Sequence, residues 1–498
     1  MKRSKDPTFI LELKLYPEMW QCHVIDKRMD IGRMMYNWLH GKVEKRYKAM
    51  TELKEYRHAK WQYRQKDTAT RKKGEDTLNE LRKKYGINEN TFQKDLKVQQ
   101  HYFKMHISSN VGQKIATRLW KAYDDLIFGS GKSVHWQKFG SFNSLEGKDN
   151  KNGISFHGNK LTWNGLEIPV QINLKNAYEL MTLEHKVAYC RVVRRVIRSK
   201  NRYFLQLVLK GIAPPKYDAQ TGDFKHVLGK GDVGFDIGTQ TLSVSSATDV
   251  KLLELADGLQ GMEDKKRRLL RKMDRSRRAT NPDNYNPDGT IRKQGNRKVE
   301  WVRSNRYMDT LLRLKEVSRK QAAVRKLMHE RLANSLLHLG DSFKVENMNF
   351  SALMKRAKET KQNNKGKFLS KKRYGKSIAN KAPAMFLRIL DRKLRNRGTQ
   401  LFKINTQMAK ASQFDHISRL CVKQSLSKRW KTVGGRPVQR DMYSSFLVMN
   451  TDAKLEKPNV AKCNATYDNF LRLHDIEVAR LATLEKTTGK RNLSSMGV

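Results

Sequence analysis

The sequence predicts a multidomain α+β chain: a small β-barrel domain interrupted by an inserted helical domain, followed by an α/β domain. Three observations predict it. Strand-like alternation near the N-terminus gives way to long charged helical periodicity, and short apolar runs with turn residues then return. From about residue 231 three strands come first, and strands and helices alternate afterwards. A length of 498 residues accommodates roughly three domains and a large core.

Leu11, Leu13 and Leu15 alternate with Glu12 and Lys14 up to Pro17, which predicts a half-buried first strand. From about Ile31 to Leu126 the spacing predicts long basic helices. Residues 127–215 carry Gly, Asn and short apolar runs, with a hairpin of 187–198 and 202–209 around Ser199-Lys200-Asn201, and complete a small barrel with the first strand. Pro214-Pro215 and the following TGDFKHVLGKGD mark a boundary. Beyond it the pattern predicts strands at 232–237, 241–246, 250–255, 342–349 and 399–405, and helices near 262–274, 304–339, 384–397 and from about 440. The expected segments are therefore 1–30 and 127–228 for the barrel, 31–126 for the helical domain and 229–410 for the first part of the α/β domain. An insertion at 411–438, a closing motif at 439–450 and a helical tail at 451–498 complete the chain.

Lys and Arg number 102 against 49 Asp and Glu, a formal net charge of +53, so a polyanion is the expected partner, and nucleic acid fits best. A content of 38% hydrophobic and 9% aromatic residues argues for packed domains and against a disordered basic tail. No apolar run is long enough to span a membrane and the first residues lack a signal-peptide core, so a cytoplasmic, nucleoid-associated protein is expected. Cys22, Cys190, Cys421 and Cys463 show no CxxC spacing, so neither disulfides nor a zinc site is expected.

Against that charge, three acids stand out. In GDVGFDIG, Val233, Phe235 and Ile237 share one strand face and Asp236 takes the other beside Gly234 and Gly238, where missing side chains leave room for a close neighbour. Glu346 ends the strand of SFKVENMNF, and Asp441 opens a helix in VQRDMYSSFLVMN with Ser445 one turn along the same face. Singly, each reads as a turn, edge or helix-dipole carboxylate. Together they are the set that two-metal phosphodiester hydrolysis requires, since converging carboxylates repel unless divalent cations neutralise them. Asp236, Glu346 and Asp441 are thus the expected catalytic residues and ligands of two Mg²⁺ ions, with Mn²⁺ an acceptable substitute. Asp468 and Asp475 compete with Asp441 for the third place.

GFDIGTQTLSVSS, VENMNF and QRDMYSSFLVMN resemble the three RuvC motifs of TnpB, the insertion-sequence-encoded nuclease family related to type V CRISPR effectors. LKLYP, then MMYNWLH opening a helical domain, then a returning β-region resemble the same family's N-terminal order, and the similarity covers nearly all of residues 9–450. The resemblance implies a wedge barrel, a helical recognition domain and a RuvC domain of the ribonuclease-H-like kind. It further implies a monomeric ribonucleoprotein that cuts double-stranded DNA beside a short flanking motif, guided by RNA from the transposon end.

The sequence departs from that pattern in two places. The stretch from Thr451 is longer than needed after the third motif, with helical periodicity in Leu471, Ile476, Val478 and Leu481. Most TnpB proteins also carry paired CxxC knuckles before that motif, and here only Cys421 stands there, with Asp415 and His416 nearby. A zinc-free insertion held by Phe414, Leu420, Leu426 and Trp430 is expected to handle the target strand. Between Glu346 and the next long helix, the lid region 351–383 has eleven Lys/Arg from Lys355 to Lys381. Arg356, Lys361, Lys371, Lys372, Arg373, Arg429 and Arg440 are the candidate nucleic-acid contacts. The alternative functions are a guide-directed DNA-binding repressor and a transposition accessory protein, neither of which cleaves. A DDE transposase shares three acids but not the long N-terminal half.

Overall fold

A computed structural model describes residues 7–218, 220–292, 295, 299–356, 359, 362–363, 366, 374–425, 427–488, 493 and 496–497. The chain divides into two compact units, Met1–Pro215 and Lys216–Val498.

In the first unit, β1 (Thr8–Leu15) buries Leu11, Leu13 and Leu15 as the alternation requires. The helices α1 (Met19–Glu52), α2 (Lys54–Tyr63), α3 (Thr68–Lys84), α4 (Glu89–Tyr102) and α5 (Ser109–Phe128) follow. Helix α1 starts twelve residues before Ile31, directly after Pro17, where Glu18 N donates to Gln21 Oε1 at 2.9 Å. The early turns escape an apolar-periodicity reading because polar side chains hold two of their inward positions. Gln21 and Arg28 are both buried, and Arg28 Nη2 donates to the Asn164 carbonyl at 2.8 Å.

Next come β2 (Ser144–Glu146), β3 (Ile154–His157), β4 (Lys160–Trp163), β5 (Leu166–Gln171), α6 (Ala177–Leu183), β6 (Val187–Ile197) and β7 (Lys200–Lys210). Their sheet runs β2-β6-β7-β1-β5-β4-β3, so the first strand sits mid-sheet and the expected barrel is an open half-barrel with β2 and β3 at its edges. The β6–β7 turn is two residues earlier than the sequence suggests: Ile197 pairs with Lys200, leaving Arg198 and Ser199 in the left-handed region at φ 50° and 62°. Two-residue turns of that kind normally announce themselves with Asn or Gly, and this one does not.

The second unit contains β8 (Asp232–Ile237), β9 (Thr241–Ser245), β10 (Val250–Glu254), α7 (Gln260–Thr280), α8 (Asn305–Leu336), β11 (Ser342–Glu346), α9 (Phe350–Leu353), α10 (Gly375–Lys381), α11 (Pro383–Arg395) and β12 (Leu401–Ile404). After these lie α12 (Thr406–Ala409), β13 (Trp430–Val433), β14 (Arg436–Gln439), α13 (Arg440–Met449) and α14 (Val460–Thr488). The sheet order is β10-β9-β8-β11-β12, with β8, β9 and β10 antiparallel and β11 and β12 parallel to β8. On one face Val233, Phe235, Phe343 and Val345 pack against Ala333 and Leu336 of α8 and Phe386 and Leu390 of α11. On the other, α13 packs with α14.

Helix α14 is a core element: Cys463, Phe470, Leu473 and Leu481 are buried, and Glu477 Oε1 accepts from the Leu252 amide at 2.8 Å. Of the apolar positions whose helical periodicity marks its inward face, Leu471, Val478 and Leu481 pack on the core, while Ile476 is exposed and His474 and Glu477 take core positions beside them. The β13–β14 hairpin occupies part of the expected insertion, turning on Gly434 and Gly435 at φ 55° and 77°. Phe414 packs at the edge of the core, Leu420 and Trp430 are exposed, and Leu426 lies outside the described residues.

Helix α13 lies so close on β8 that a Cβ at Gly234 would overlap the Ser445 carbonyl oxygen and the Met449 amide nitrogen. Lys344, buried on β11, locks the other end of the helix, its Nζ donating to the Met449 and Thr451 carbonyls at 3.0 and 3.2 Å and pairing with Asp232 at 3.1 Å. Gly234→Ala should therefore destabilise the protein by about 3 kcal/mol, because backbone must move. Gly261→Ala, in open space inside α7, should stabilise it by up to about 1 kcal/mol. Chemical denaturation of both variants checks the pair, and equal effects would contradict this packing.

Candidate metal centre

The three acids come from β8, β11 and α13. Val345 pairs with Phe235 in the parallel register, so the next step along both strands sets Glu346 beside Asp236, about 5 Å apart across the sheet. Both side chains point away from the face that buries Phe235 and Val345, toward the layer that holds α13. The helix begins at Gln439, whose side chain accepts from the Met442 amide at 2.8 Å, while its own amide donates to His474 Nε2 at 3.0 Å. Ser445 then pins the helix to β9, sharing hydrogen bonds with Ser243 Oγ at 2.9 Å and Ser245 Oγ at 2.7 Å. This anchoring places Asp441 in the first turn, toward Asp236 and Glu346.

Asp236 lies within the electrostatic reach of both other acids. Burial first, then Asp441, then Glu346, pushes the Asp236 carboxyl well above the usual carboxylate range, and Arg440 and Ser444 offset this only in part. Burial likewise pushes Glu346 up. Yet Asp236, Glu346 and Asp441 all keep some accessible surface, so they are not sealed in the core. The Ser444 hydroxyl favours the charged form of Asp236 from outside strict hydrogen-bond distance, and is buried without any other partner.

Two arginines engage Asp441. Arg440 Nη2 lies 3.3 Å from Oδ1, and Arg429 Nη1 lies 3.6 Å from Oδ2. Arg440 is itself held in place, its Nη1 donating to the Ser425 and Lys428 carbonyls at 3.2 and 3.0 Å. Among the described residues, no three His, Cys, Asp or Glu side chains are already closed around a common point as metal ligands. The donor set nevertheless fits a hard divalent cation: three carboxylates, a raised proton affinity at two of them and an orphan hydroxyl at their side.

The remaining candidates scatter. Arg356 is exposed beyond α9, and Lys361, Lys371, Lys372 and Arg373 lie outside the described residues. Lys381, which the sequence places in the basic lid, is instead buried, with Nζ 2.6 Å from Glu254 Oε1. Asp468 is exposed, and Asp475 pairs with Arg436 at 3.1 Å, so neither joins Asp236. His416 turns into an aromatic cluster, with Nδ1 2.7 Å from Tyr443 Oη, while Cys421 is exposed and Asp415 accepts from the Ile417 and Ser418 amides at 2.9 and 3.2 Å. Sequence reasoning missed Lys344 and the Ser243–Ser445–Ser245 cluster. The signal for the latter was two serines two apart on the strand face that meets a helix.

No protein-family model matches the chain, and no curated protein does. Among solved structures it is similar to a cryo-EM structure of the Cas12f1–sgRNA–target DNA complex, with a TM-score of 0.38 and 11% identity over 84% of this chain and 92% of that one. It is also similar to a CRISPR–Cas12f ternary complex, with a TM-score of 0.24 and 12% identity over 90% of this chain and 99% of that one. Likeness at these scores fixes neither fold nor activity.

Asp236 supplies a pH test. Because its proton is held more tightly in the folded than in the unfolded chain, the metal-free protein loses stability as pH rises from about 4, the ordinary aspartate value, through the higher folded value. Asp236→Asn removes that loss. In EDTA its melting temperature should exceed the wild type's near neutrality, by a gain on the order of 1 kcal/mol, and the difference should shrink toward pH 4. A difference that is flat across this range would contradict the clustering of the acids.

Proposed function

We propose that the chain is an RNA-guided DNA endonuclease of the TnpB type, with Asp236, Glu346 and Asp441 as its hydrolytic centre. The observation that carries this reading is the approach of three carboxylates from distant segments, Asp236 and Glu346 side by side on adjacent strands and Asp441 in the first turn of the helix packed on them. A sheet ordered β10-β9-β8-β11-β12, with the acids on two adjacent central strands and on the helix laid across them, supports a ribonuclease-H-like RuvC domain. The order of the RuvC-like motifs and a net charge of +53 support a nucleic-acid substrate held along its phosphates.

The three carboxylates would hold two Mg²⁺ ions. When bound, such ions neutralise charge at the scissile phosphate and lower the pKa of an attacking water. The chain's own residues do the positioning. Gly234 lets α13 approach, Gln439 fixes its first turn, and Lys344 fixes its last. Arg440, tethered to the loop carbonyls, orients one oxygen of Asp441 and offsets part of the cluster's charge. In this reading a transposon-end RNA supplies sequence recognition by pairing, and the protein reads only a short flanking duplex.

The test begins with sequencing the RNA that co-purifies with the full chain. Its variable end is then placed as target in a plasmid beside a randomised flank. The expected outcome is Mg²⁺-dependent cutting of plasmids that share one flank, lost by at least about a hundredfold in Asp236→Ala, Glu346→Ala and Asp441→Ala. Asp468→Ala should cut normally. A discrete RNA with a verified R-loop and no cutting would leave a guided binder. Absence of any discrete RNA would overturn the guide itself.

A further inference from the structure

In the first unit, a cleft of about 940 Å³ opens between α1, the loop after α4, the segment around Phe139 and the end of the β6–β7 hairpin. Tyr102 and Phe139 are 80% and 83% exposed, and Met34, Met105 and Val196 join them as exposed apolar side chains around one opening. Such a concentration on a single concave surface marks a binding site more often than chance. Neither aromatic supports the fold, since each leaves most of its surface in solvent.

The charges around the cleft select its occupant. Its two carboxylates are already committed: Asp26 pairs with Arg194 at 2.9 Å and accepts from Asn201 at 3.0 Å, and Asp30 pairs with Arg33 at 2.6 Å. Lys27 has no ion-pair partner among the described residues, and Arg33 also lies over the Phe139 ring, 5.9 Å from its centroid. The field is positive: burial first, then Lys27 and Arg28, lowers the proton affinity of His106 at the cleft wall. A second copy of a chain with net charge +53 would be repelled, and an uncharged lipid or neutral peptide gains nothing from these cations. Flat π-systems joined to anionic groups satisfy both features.

We propose that this cleft receives an unpaired base of a bound single strand, stacked on Tyr102 or Phe139, with the adjoining phosphate toward Lys27. The proposal rests on the nucleic-acid part of the proposed function and is independent of the hydrolytic part. Stacking tolerates any base because each has a π-face, so the site discriminates single strand from duplex more than it discriminates sequence.

The experiment uses the full-length protein and a single-stranded oligouridylate of roughly ten nucleotides carrying 5-iodouridine, with a duplex of equal length as control. Photocrosslinking and mass spectrometry should place the adduct on a peptide containing Tyr102 or Phe139. The Tyr102→Ala/Phe139→Ala double variant should bind the single strand about tenfold more weakly or worse and the duplex within about twofold of wild type. Tyr102→Trp/Phe139→Trp should restore single-strand binding, which a mere folding defect would not allow. Crosslinks confined to other peptides, or equal losses on single strand and duplex, would overturn the site. Either result leaves the Asp236 centre untouched, because metal-dependent cleavage is read separately.

Discussion

The second unit depends on one missing side chain. At Gly234 the backbone of β8 and the backbone of α13 come into direct contact, and only a residue without a Cβ permits it. That approach brings the first turn of α13 to the polar face of the sheet, where Asp236 and Glu346 stand side by side. The serines of β9 hold the sideways position of the helix, and Lys344 holds its far end. The glycine beside the acid is thus a packing device, and its effect is to deliver a third carboxylate.

A protein this basic might be expected to quench its own acids, but distance decides otherwise. Two like charges about 5 Å apart repel by about 3 kcal/mol at an effective dielectric near 20. Surface lysines farther than about 8 Å are largely screened at physiological salt, so the large net charge does little for a half-buried cluster. Only local cations count, and among the described residues Arg440 and Arg429 pair with the cluster, both directed at Asp441. Asp236 and Glu346 are left under-compensated, as the upward shift of both carboxyls shows.

The strands of the second unit were legible because their apolar faces meet ordinary apolar neighbours: Val233, Phe235, Phe343 and Val345 alternate as textureless pattern reading demands. The acids were legible as exceptions to that pattern. What could not be read is where a polar side chain is buried because a distant partner satisfies it. Gln21 and Arg28 hid the first turns of α1, and His474 and Glu477 widen the inward face of α14 beyond its apolar residues. Lys381 looks like part of a solvated basic run until Glu254, far back in the chain, claims it. The β6–β7 turn escaped for a different reason, since Arg198 and Ser199 adopt left-handed backbone without the residues that usually signal it.

The same principle sets the three acids apart. The buried charges Lys344, Lys381 and Glu477 are each matched: Lys344 by two carbonyls and Asp232, Lys381 by Glu254, Glu477 by the Leu252 amide and by Arg480. Asp232 shows the effect on acidity. Burial alone would raise its carboxyl, but the Ser342 hydroxyl and Lys344 bring it below the ordinary aspartate value. Asp236, four residues along the same strand, has the burial without comparable compensation, and its acidity moves the other way. Asp232 is thus neutralised within the fold while Asp236 is left under-compensated, which is the condition that the proposed cation site requires.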